Sequence, residues 1–391
     1  MRFAIWTGLI LRLIIAVWNS YFGPSFGAEL DALTYHRAAA LYSVDLDLNK
    51  FEFAIGGIYP HILSVFYYLI TDSLFLGSLL SCIAWLLSAL LLVKIMHLLS
   101  FNKTACIKAM LIYALLPSSV LMTAVTLREP YQLLFVNLAV YSILKIYLHR
   151  SNFYWLVLFF ALIGMGIFHG ALLMFGIFIL MLVMVLLIYR NRKRLSLRKF
   201  VFFTPLIVLT LVYGLSLFTS FSYGFGDGLD KVLSSYNAAI LSTSARANYI
   251  SSVVITGMGD VLLFIPIAFF QYLLEPLPWH VSSSSDVVAF LENILRVWLI
   301  WKACFRLRIV PVLERRPVLL IFILYLILEG IWSLGTGNWG TAMRHHLPST
   351  GLLLVAAFAY SGRRFSRRGN SIQTPFKSVG RPPVSGYLSA Q

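Results

Sequence analysis

The chain has 391 residues, of which 60% are hydrophobic and 12% are charged, and its net charge is +16. Soluble domains carry about 25% charged residues, so this composition and the repeated apolar runs of about 20 residues exclude a soluble protein and predict a polytopic membrane protein. The positive charge does not indicate a nucleic-acid partner, because Lys and Arg cluster in short segments between the apolar runs, as the positive-inside rule describes.

The first apolar run, about 3–22, is predicted to be an uncleaved transmembrane span. Arg12 interrupts the run and no small-residue cleavage site follows it, so a signal peptide is not favoured. Arg2 precedes the run and acidic residues follow it, which places the N-terminus in the cytosol. Residues 23–60 then form the first outer loop.

This outer loop contains the polar stretch GAELDALTYHRAA, residues 27–39. A helix over 29–43 would place Asp31 and Tyr35 on one face and three leucines on another. Such an amphipathic helix lies on the membrane surface and presents Asp31 to a cavity. A simpler explanation, an acid favoured by the dipole at a helix N-terminus, accounts well for Glu29. Asp31 is therefore the stronger candidate for a functional acid.

The next apolar pieces predict one short helix and five spans. The twelve-residue piece 59–70 is too short to cross a bilayer and predicts an interfacial or re-entrant helix. The run 153–188 is too long for one helix of ordinary tilt, so we expect it to divide near His169. The spans of this part are predicted at about 73–97, 105–124 and 130–148 and on the two sides of His169.

The C-terminal half predicts four more spans and a second outer loop, 221–285. The apolar piece 253–274 in this loop is expected to be re-entrant, because a crossing there would move the basic run Lys302–Arg316 to the outer side. The basic tail 362–391 predicts a disordered cytosolic extension. The fold expected for residues 1–361 is thus an all-α membrane domain of about ten transmembrane helices, the last four at about 199–220, 286–303, 317–334 and 347–361.

Two ionisable residues, Arg128 and Glu129, lie in the stretch TLREP between two predicted spans. Ionisable residues at membrane depth are costly and are usually paired or functional. A local Arg–Glu ion pair that closes the turn before Pro130 is the alternative to a role in substrate binding. Both residues are candidates for contact with a substrate.

A third polar stretch, GTGNWGTAMRHH (335–346), precedes the last predicted span. Arg344 in this stretch is predicted to lie on the outer side. This position opposes the positive-inside charge bias unless Arg344 has an anionic partner. A planar guanidinium can donate two hydrogen bonds to one phosphate, which favours phosphate binding over contact with lipid headgroups. His345 is a weaker candidate beside it. The stretch EPLPWH (275–280) is predicted to be structural, because its prolines stop a helix and Trp279 suits the membrane interface.

An outer carboxylate and outer arginines suit one reaction in particular, in which a sugar leaves a polyprenyl phosphate. The arginines stabilise the charge that develops on the phosphate, and the carboxylate deprotonates or orients the acceptor hydroxyl. The sequence contains no P-loop and no dinucleotide-binding glycine motif, so no nucleotide cofactor is expected. A divalent cation stays possible, because Glu29, Asp31 and Glu129 offer oxygen ligands; no metal site is assigned.

The order of these motifs resembles the GT-C superfamily, the membrane glycosyltransferases that use lipid-phosphate sugars and include protein mannosyltransferases. The resemblance is carried by Leu11–Arg12 in the first span, the acid followed by Tyr in the first loop, and the stretches GGIYP, LLPSS, TLRE, LEPLPW and NWGTAMRHH. It implies that Asp31 is the catalytic acid and that Arg128 or Arg344 contacts the donor phosphate. The chain departs from the many members with two adjacent acids, because Leu30 separates Glu29 from Asp31. The last two stretches resemble bacterial members linked to surface polysaccharides.

The predicted function is transfer of a sugar from a polyprenyl-linked donor to a glycan or lipid-linked acceptor at the outer face of a bacterial inner membrane, with both termini cytosolic. The catalytic candidate is Asp31, and the substrate-binding candidates are Tyr35, His36, Arg128, Glu129, Arg344 and His345. Three alternatives stay open: an O-antigen-type polysaccharide polymerase or ligase, a transporter or flippase for a lipid-linked glycan, and a structural subunit. The sequence shows no internal repeat of the kind that many transporters carry.

Overall fold

The computed structural model describes residues 1–23, 29–44, 58–190, 247, 249 and 258–361. Within these residues the chain forms α-helices and one 3₁₀ turn, Pro278–His280, and no β-strand. The helices of the N-terminal half are α1 (Arg2–Tyr21), α2 (Glu29–Val44), α3 (Ile58–Leu69), α4 (Leu74–Leu98), α5 (Lys103–Leu115), α6 (Pro117–Met122), α7 (Glu129–His149), α8 (Phe153–Phe168) and α9 (Gly170–Arg190). The remaining helices are α10 (Met258–Leu274), α11 (Ser284–Ile309), α12 (Val312–Leu334), α13 (Trp339–His345) and α14 (Leu347–Phe358).

Four of the described helices are long and apolar enough to cross a membrane, namely α1, α4, α7 and most of α12. This confirms a helical membrane protein, whereas the larger number of about ten spans stays a prediction. The predicted span at about 199–220 and the basic tail 362–391 lie outside the described residues.

Several helix ends follow directly from local sequence. The short helix expected at 59–70 is α3, with twelve residues. The expected division near His169 is also confirmed, since α8 ends at Phe168 and His169 is extended before α9 begins. The predicted span 105–124 is instead two helices, because the ring of Pro117 excludes Leu116 from helical geometry and Leu116 takes ψ of 121°.

Arg12 attaches α1 to the ends of α5 and α6. Its side chain is completely buried, and Nη1 donates to the carbonyl oxygens of Gly8 and Ala114, both at 2.9 Å. Nε donates to Thr123 Oγ1 at 2.6 Å and Nη2 to Ser119 Oγ at 2.9 Å. A buried guanidinium is tolerated when its donors are satisfied in this way. The contact fixes the segment that leads from α6 to Arg128.

The centre of the bundle is formed where α4, α7 and α14 approach closely. Asn137 on α7 donates to Ser88 Oγ at 2.9 Å, and Ser88 lies 2.7 Å from the Tyr113 hydroxyl. A Cβ on Gly351 of α14 would lie 2.7 Å from the side-chain oxygen of Asn137. Glycine is therefore required there for the close approach, as is common between membrane helices.

Candidate active site

The polar centre of this fold is an ion pair between α2 and α13. Arg344, in the last turn of α13, donates from Nη1 to Asp31 Oδ2, although the two residues are 313 positions apart. The Asp31 side chain is 51% exposed and that of Arg344 is 21% exposed. The carboxylate therefore has a salt-bridge partner and is still open to a second molecule.

Helix α2 packs on its neighbours through small side chains. Ala32 and Ala39 are buried, whereas Leu41 and Val44 are largely exposed. The predicted position of α2 flat on the membrane surface stays a prediction. The small alanines let α2 pack closely on its neighbours, and Tyr35 contacts the ring of Tyr59 on α3 edge to face, at 5.1 Å between centroids.

Arg128 and Glu129 lie where α7 begins. Glu129 is buried, at 6% exposure, and its Oε2 has no hydrogen-bond partner. Arg128 is partly exposed, and within the described part of the chain its side chain forms no hydrogen bond or ion pair. The local Arg–Glu pair that the sequence offered as an alternative is thus not formed. Arg128 is a cation available to a ligand.

The charges of these groups act on the hydroxyl of Tyr35. Arg128, Glu129, Asp31 and Arg344 all lie within electrostatic range of it. Burial raises the pKa of Tyr35, with the two arginines acting in the opposite direction, so the phenol stays protonated and can donate a hydrogen bond. Four of the six predicted binding residues therefore assemble with the catalytic candidate.

The charge of Arg344 is held by two carboxylates. Burial alone would lower the pKa of Arg344, but Glu129 and Asp31 outweigh burial and raise it above the ordinary value. The position also favours a cation, because Arg344 lies at the C-terminal end of a helix dipole. Arg344 is thus a permanent positive charge between a buried acid and an exposed one.

The two histidine candidates contact other groups. His36 Nδ1 lies 2.9 Å from the Tyr67 hydroxyl and 4.0 Å from Asp72 Oδ1, towards α3 rather than towards Asp31. His345 Nδ1 lies 2.7 Å from Thr336 Oγ1, and its ring stacks on Trp332 at 3.9 Å. His36 thus contacts groups away from Asp31, whereas His345 lies within electrostatic range of Arg128 and Arg344. The role of each histidine in substrate binding stays a prediction.

Burial lowers the pKa of His345 well below its ordinary value, and its neighbours His169 and His346 act in the same direction. A neutral imidazole stacked on Trp332 supports the last turn of α13, where Arg344 lies. His345 is therefore placed to support Arg344, which precedes it in the same helical turn.

Sequence reasoning missed Gln132. It lies one turn after Glu129 on α7, is 2% exposed, and its side-chain oxygen has no hydrogen-bond partner. The signal was present in the sequence, because two polar residues three positions apart in an apolar helix share one face. Within the described residues, no group of three or more His, Cys, Asp or Glu side chains is close enough to hold a metal ion; the Glu29 side chain lies outside those residues.

Residues 51–225 match the family model of dolichyl-phosphate-mannose-protein mannosyltransferases, over somewhat less than half of the chain. This family is a GT-C family, so the match supports the GT-C superfamily and, in general, a glycosyltransferase that uses a polyprenyl-phosphate sugar in a lipid bilayer. The matched region contains Arg128 and Glu129, whereas Asp31 and Arg344 lie outside it. No curated protein and no solved structure matches the chain.

Proposed function

We propose that this chain is a membrane glycosyltransferase that moves a sugar from a polyprenyl-linked donor to a glycan or lipid-linked acceptor, at the outer face of a bacterial inner membrane. The observation that carries the proposal is the convergence of Asp31, Arg344, Arg128 and Glu129 around Tyr35. One exposed carboxylate beside two guanidinium groups provides both parts of such a reaction, a base and a site for the leaving phosphate.

The donor phosphate binds to Arg128 and Arg344. Arg128 forms no ion pair within the described residues, so it can contact the phosphate without first losing a protein partner. Arg344 pairs with Asp31 and lies within electrostatic range of Glu129, and its planar guanidinium suits a phosphate that competes with the Asp31 carboxylate for it. The arginines strengthen their contacts as negative charge develops on the phosphate, which is the condition for accelerating the reaction.

Asp31 serves as the general base. The acceptor hydroxyl oxygen forms a bond to the anomeric carbon, and the bond from that carbon to the phosphate oxygen breaks, so the phosphate leaves with the electron pair. The hydroxyl proton passes to Asp31. Because a bound phosphate competes for Arg344, the donor weakens the Asp31–Arg344 ion pair and leaves the carboxylate available to the acceptor hydroxyl. The negative charge of Glu129 continues to favour the guanidinium of Arg344 electrostatically.

The proposal is tested with purified protein in lipid nanodiscs and a radiolabelled sugar on a polyprenyl phosphate. Asp31→Asn is expected to lower the transfer rate by about two to four orders of magnitude, the usual contribution of a general base. Donor binding should persist, because the arginines are retained. Asp72→Asn is the matched control, since Asp72 is a comparably exposed acid, at 53%, that lies near His36.

Full activity of Asp31→Asn would contradict this mechanism. If Arg344→Ala is inactive at the same time, a polysaccharide polymerase or ligase that depends on outer arginines becomes the better explanation. Movement of a labelled polyprenyl-linked glycan across the bilayer, without sugar transfer, would instead identify a transporter.

A further inference from the structure

Three aromatic side chains form a cluster where the break between α8 and α9 meets α12 and α13. The ring of Trp332 stacks on that of His345 at 3.9 Å between centroids and lies 4.4 Å from that of His169. The two histidine rings are 5.8 Å apart, edge to face. Trp332 is buried, whereas both histidines are partly exposed. Two imidazoles that another molecule can reach are therefore held together by one buried indole.

His169 presents a hydrogen-bond donor in this cluster. Its Nδ1 accepts the backbone N–H of Ala171 at 3.2 Å, in the first turn of α9. A nitrogen that accepts a hydrogen bond carries no proton, so the ring proton is on Nε2. Within the described residues no group accepts a hydrogen bond from Nε2. Capping of α9 thus accounts for Nδ1 and leaves the Nε2–H group unused.

His345 presents the complementary acceptor. Thr336 Oγ1 donates its one proton to the carbonyl oxygen of Trp332 at 2.7 Å, so it must accept a hydrogen bond from His345 Nδ1, which is also 2.7 Å away. The ring proton of His345 is therefore on Nδ1. Because burial lowers the pKa of His345, the imidazole is neutral and Nε2 carries a lone pair. No donor in the described part of the chain forms a hydrogen bond with this nitrogen.

The Trp332 indole adds a second unused donor. Its Nε1 is buried and has no hydrogen-bond partner among the described residues. Buried polar groups are almost always paired, so an unpaired one calls for an explanation. The cluster as a whole contains two donors and one acceptor that the protein leaves unpaired.

A hydroxyl group complements this cluster, whereas a phosphate diester does not. A hydroxyl can accept a hydrogen bond from His169 Nε2 and donate one to His345 Nε2 at the same time. The two imidazoles form no hydrogen bond with each other, so both remain available for it. A phosphate diester has no proton to donate, and its oxygens would face the lone pair of His345. The ligand that fits is a neutral molecule with several hydroxyl groups.

The cluster lies next to both arginines that are proposed to bind the donor phosphate. The residue before His169, Phe168, stacks on Tyr131 at 5.0 Å between centroids, and Tyr131 N donates to the carbonyl oxygen of Arg128 at 3.1 Å. On the α13 side, the second imidazole belongs to the residue that directly follows Arg344. A sugar attached to a phosphate between the two arginines is therefore within reach of the cluster.

We propose that Nε2 of His169 and Nε2 of His345, together with Trp332 Nε1, bind hydroxyl groups of the donor sugar. The inference rests on the proposed function, because the sugar is placed beside a phosphate held by the arginines. The histidines then determine which sugar is accepted and do not transfer a proton in the reaction. His345 combines two roles, since Nδ1 supports α13 through Thr336 and Nε2 contacts the sugar.

The test compares binding of lipids with and without a sugar to purified protein in nanodiscs. The probes are short-chain polyprenyl phosphates that carry mannose, glucose or galactose, and polyprenyl methyl phosphate, a diester of the same charge without a sugar. The wild type is expected to bind at least one sugar-bearing lipid about tenfold more tightly than the methyl diester, the gain typical of one or two net hydrogen bonds. Equal binding of all four lipids would overturn the proposal.

Asparagine variants separate the structural role of each histidine from sugar binding. His169→Asn and His345→Asn keep an amide close to the position of Nδ1, for Ala171 N or Thr336 Oγ1, and remove Nε2. Each should lower the preference for the sugar-bearing lipid by about three- to tenfold, with unchanged binding of the methyl diester and an unchanged unfolding temperature. His149→Asn, in the exposed last turn of α7, is the control and should keep the full preference.

His345→Gln supplies the opposite test and decides the matter if His169→Asn fails to fold. The longer side chain places its amide close to the position of Nε2 and gives up the contact with Thr336. It should therefore keep more of the sugar preference than His345→Asn, although it is no more stable. A greater preference in the Asn variant than in the Gln variant, or an unchanged preference in all histidine variants, would contradict the proposal.

These binding measurements involve no turnover, so they are separate from the test of the proposed function. A preference that depends on the histidines, in a protein that transfers no sugar, would support this site and contradict the proposed glycosyltransferase. Sugar transfer by a protein whose preference does not depend on the histidines would overturn this site alone.

Discussion

Arg12 and Arg128 are both arginines that end up beside the α6–α7 segment, yet they are used in opposite ways. Arg12 is completely buried, its donors reach four oxygen atoms, and its guanidinium lies 3.6 Å above the ring of Trp85. Arg128 is partly exposed, and its side chain forms no hydrogen bond or ion pair within the described residues. A satisfied charge stabilises the fold, whereas an unsatisfied one is available for ligand binding.

The first prediction distinguishes these two roles by the loss of unfolding free energy when each arginine is replaced. Arg12→Ala leaves a cavity beside Trp85 and removes the donors to Ala114 and Thr123, so we expect the free energy of unfolding to fall by about 3 kcal/mol. Thermal unfolding in detergent micelles measures the change. Arg128→Ala is the paired variant, with an expected change within about 0.5 kcal/mol. Equal losses of unfolding free energy in Arg12→Ala and Arg128→Ala would show that the two arginines do not differ in this way.

The next effect concerns activity. Arg128→Gln is expected to lower sugar transfer by about 100-fold, because one donor to the developing phosphate charge is lost, while the unfolding temperature stays the same. Arg128→Lys should recover part of the rate, since it restores the charge but not the planar pair of donors. Steady-state kinetics with the polyprenyl-phosphate sugar provide the readout. An active Arg128→Gln enzyme would remove Arg128 from the site.

The third prediction concerns the pH dependence of the stability that His345 gives to α13. Burial lowers the pKa of His345 in the folded chain, so the unfolded chain binds a proton first as the pH falls below about 6.5. The contribution of His345 to stability is therefore complete above that pH and is lost below it, by up to about 1.4 kcal/mol per pH unit. His345→Phe keeps the stacking on Trp332 and should make stability between pH 7 and 5 less dependent on pH.

His169 and His346 also have lowered pKa values, so the wild-type slope has several sources and His345→Phe should remove only part of it. Chemical denaturation at a series of pH values gives the slopes. An identical slope in the variant and the wild type would mean that the His345 ring is not held neutral by its surroundings.

Local features were the part that the sequence predicted well. The twelve apolar residues of α3, the helix break at His169 and the long apolar helices follow from run length and hydropathy, which depend on neighbouring residues alone. The predicted span 105–124 is divided at Pro117, and the sequence analysis missed this division. The span was predicted from the mean hydropathy of the whole run, which a single helix-breaking proline hardly changes. Asp31 was singled out as an acid beside a membrane span, and its catalytic role stays a prediction.

Hydropathy and residue order are thus enough to predict a helical membrane protein and a short list of polar residues that are costly in apolar surroundings. Which of those residues meet depends on the packing of the helices. It pairs Asp31 with Arg344 across 313 positions and satisfies the donors of Arg12 inside the bundle. The physical reason is that local sequence reveals the cost of placing a charge or hydroxyl in a membrane. Whether a protein group or a ligand compensates that charge or hydroxyl depends on which helices pack together.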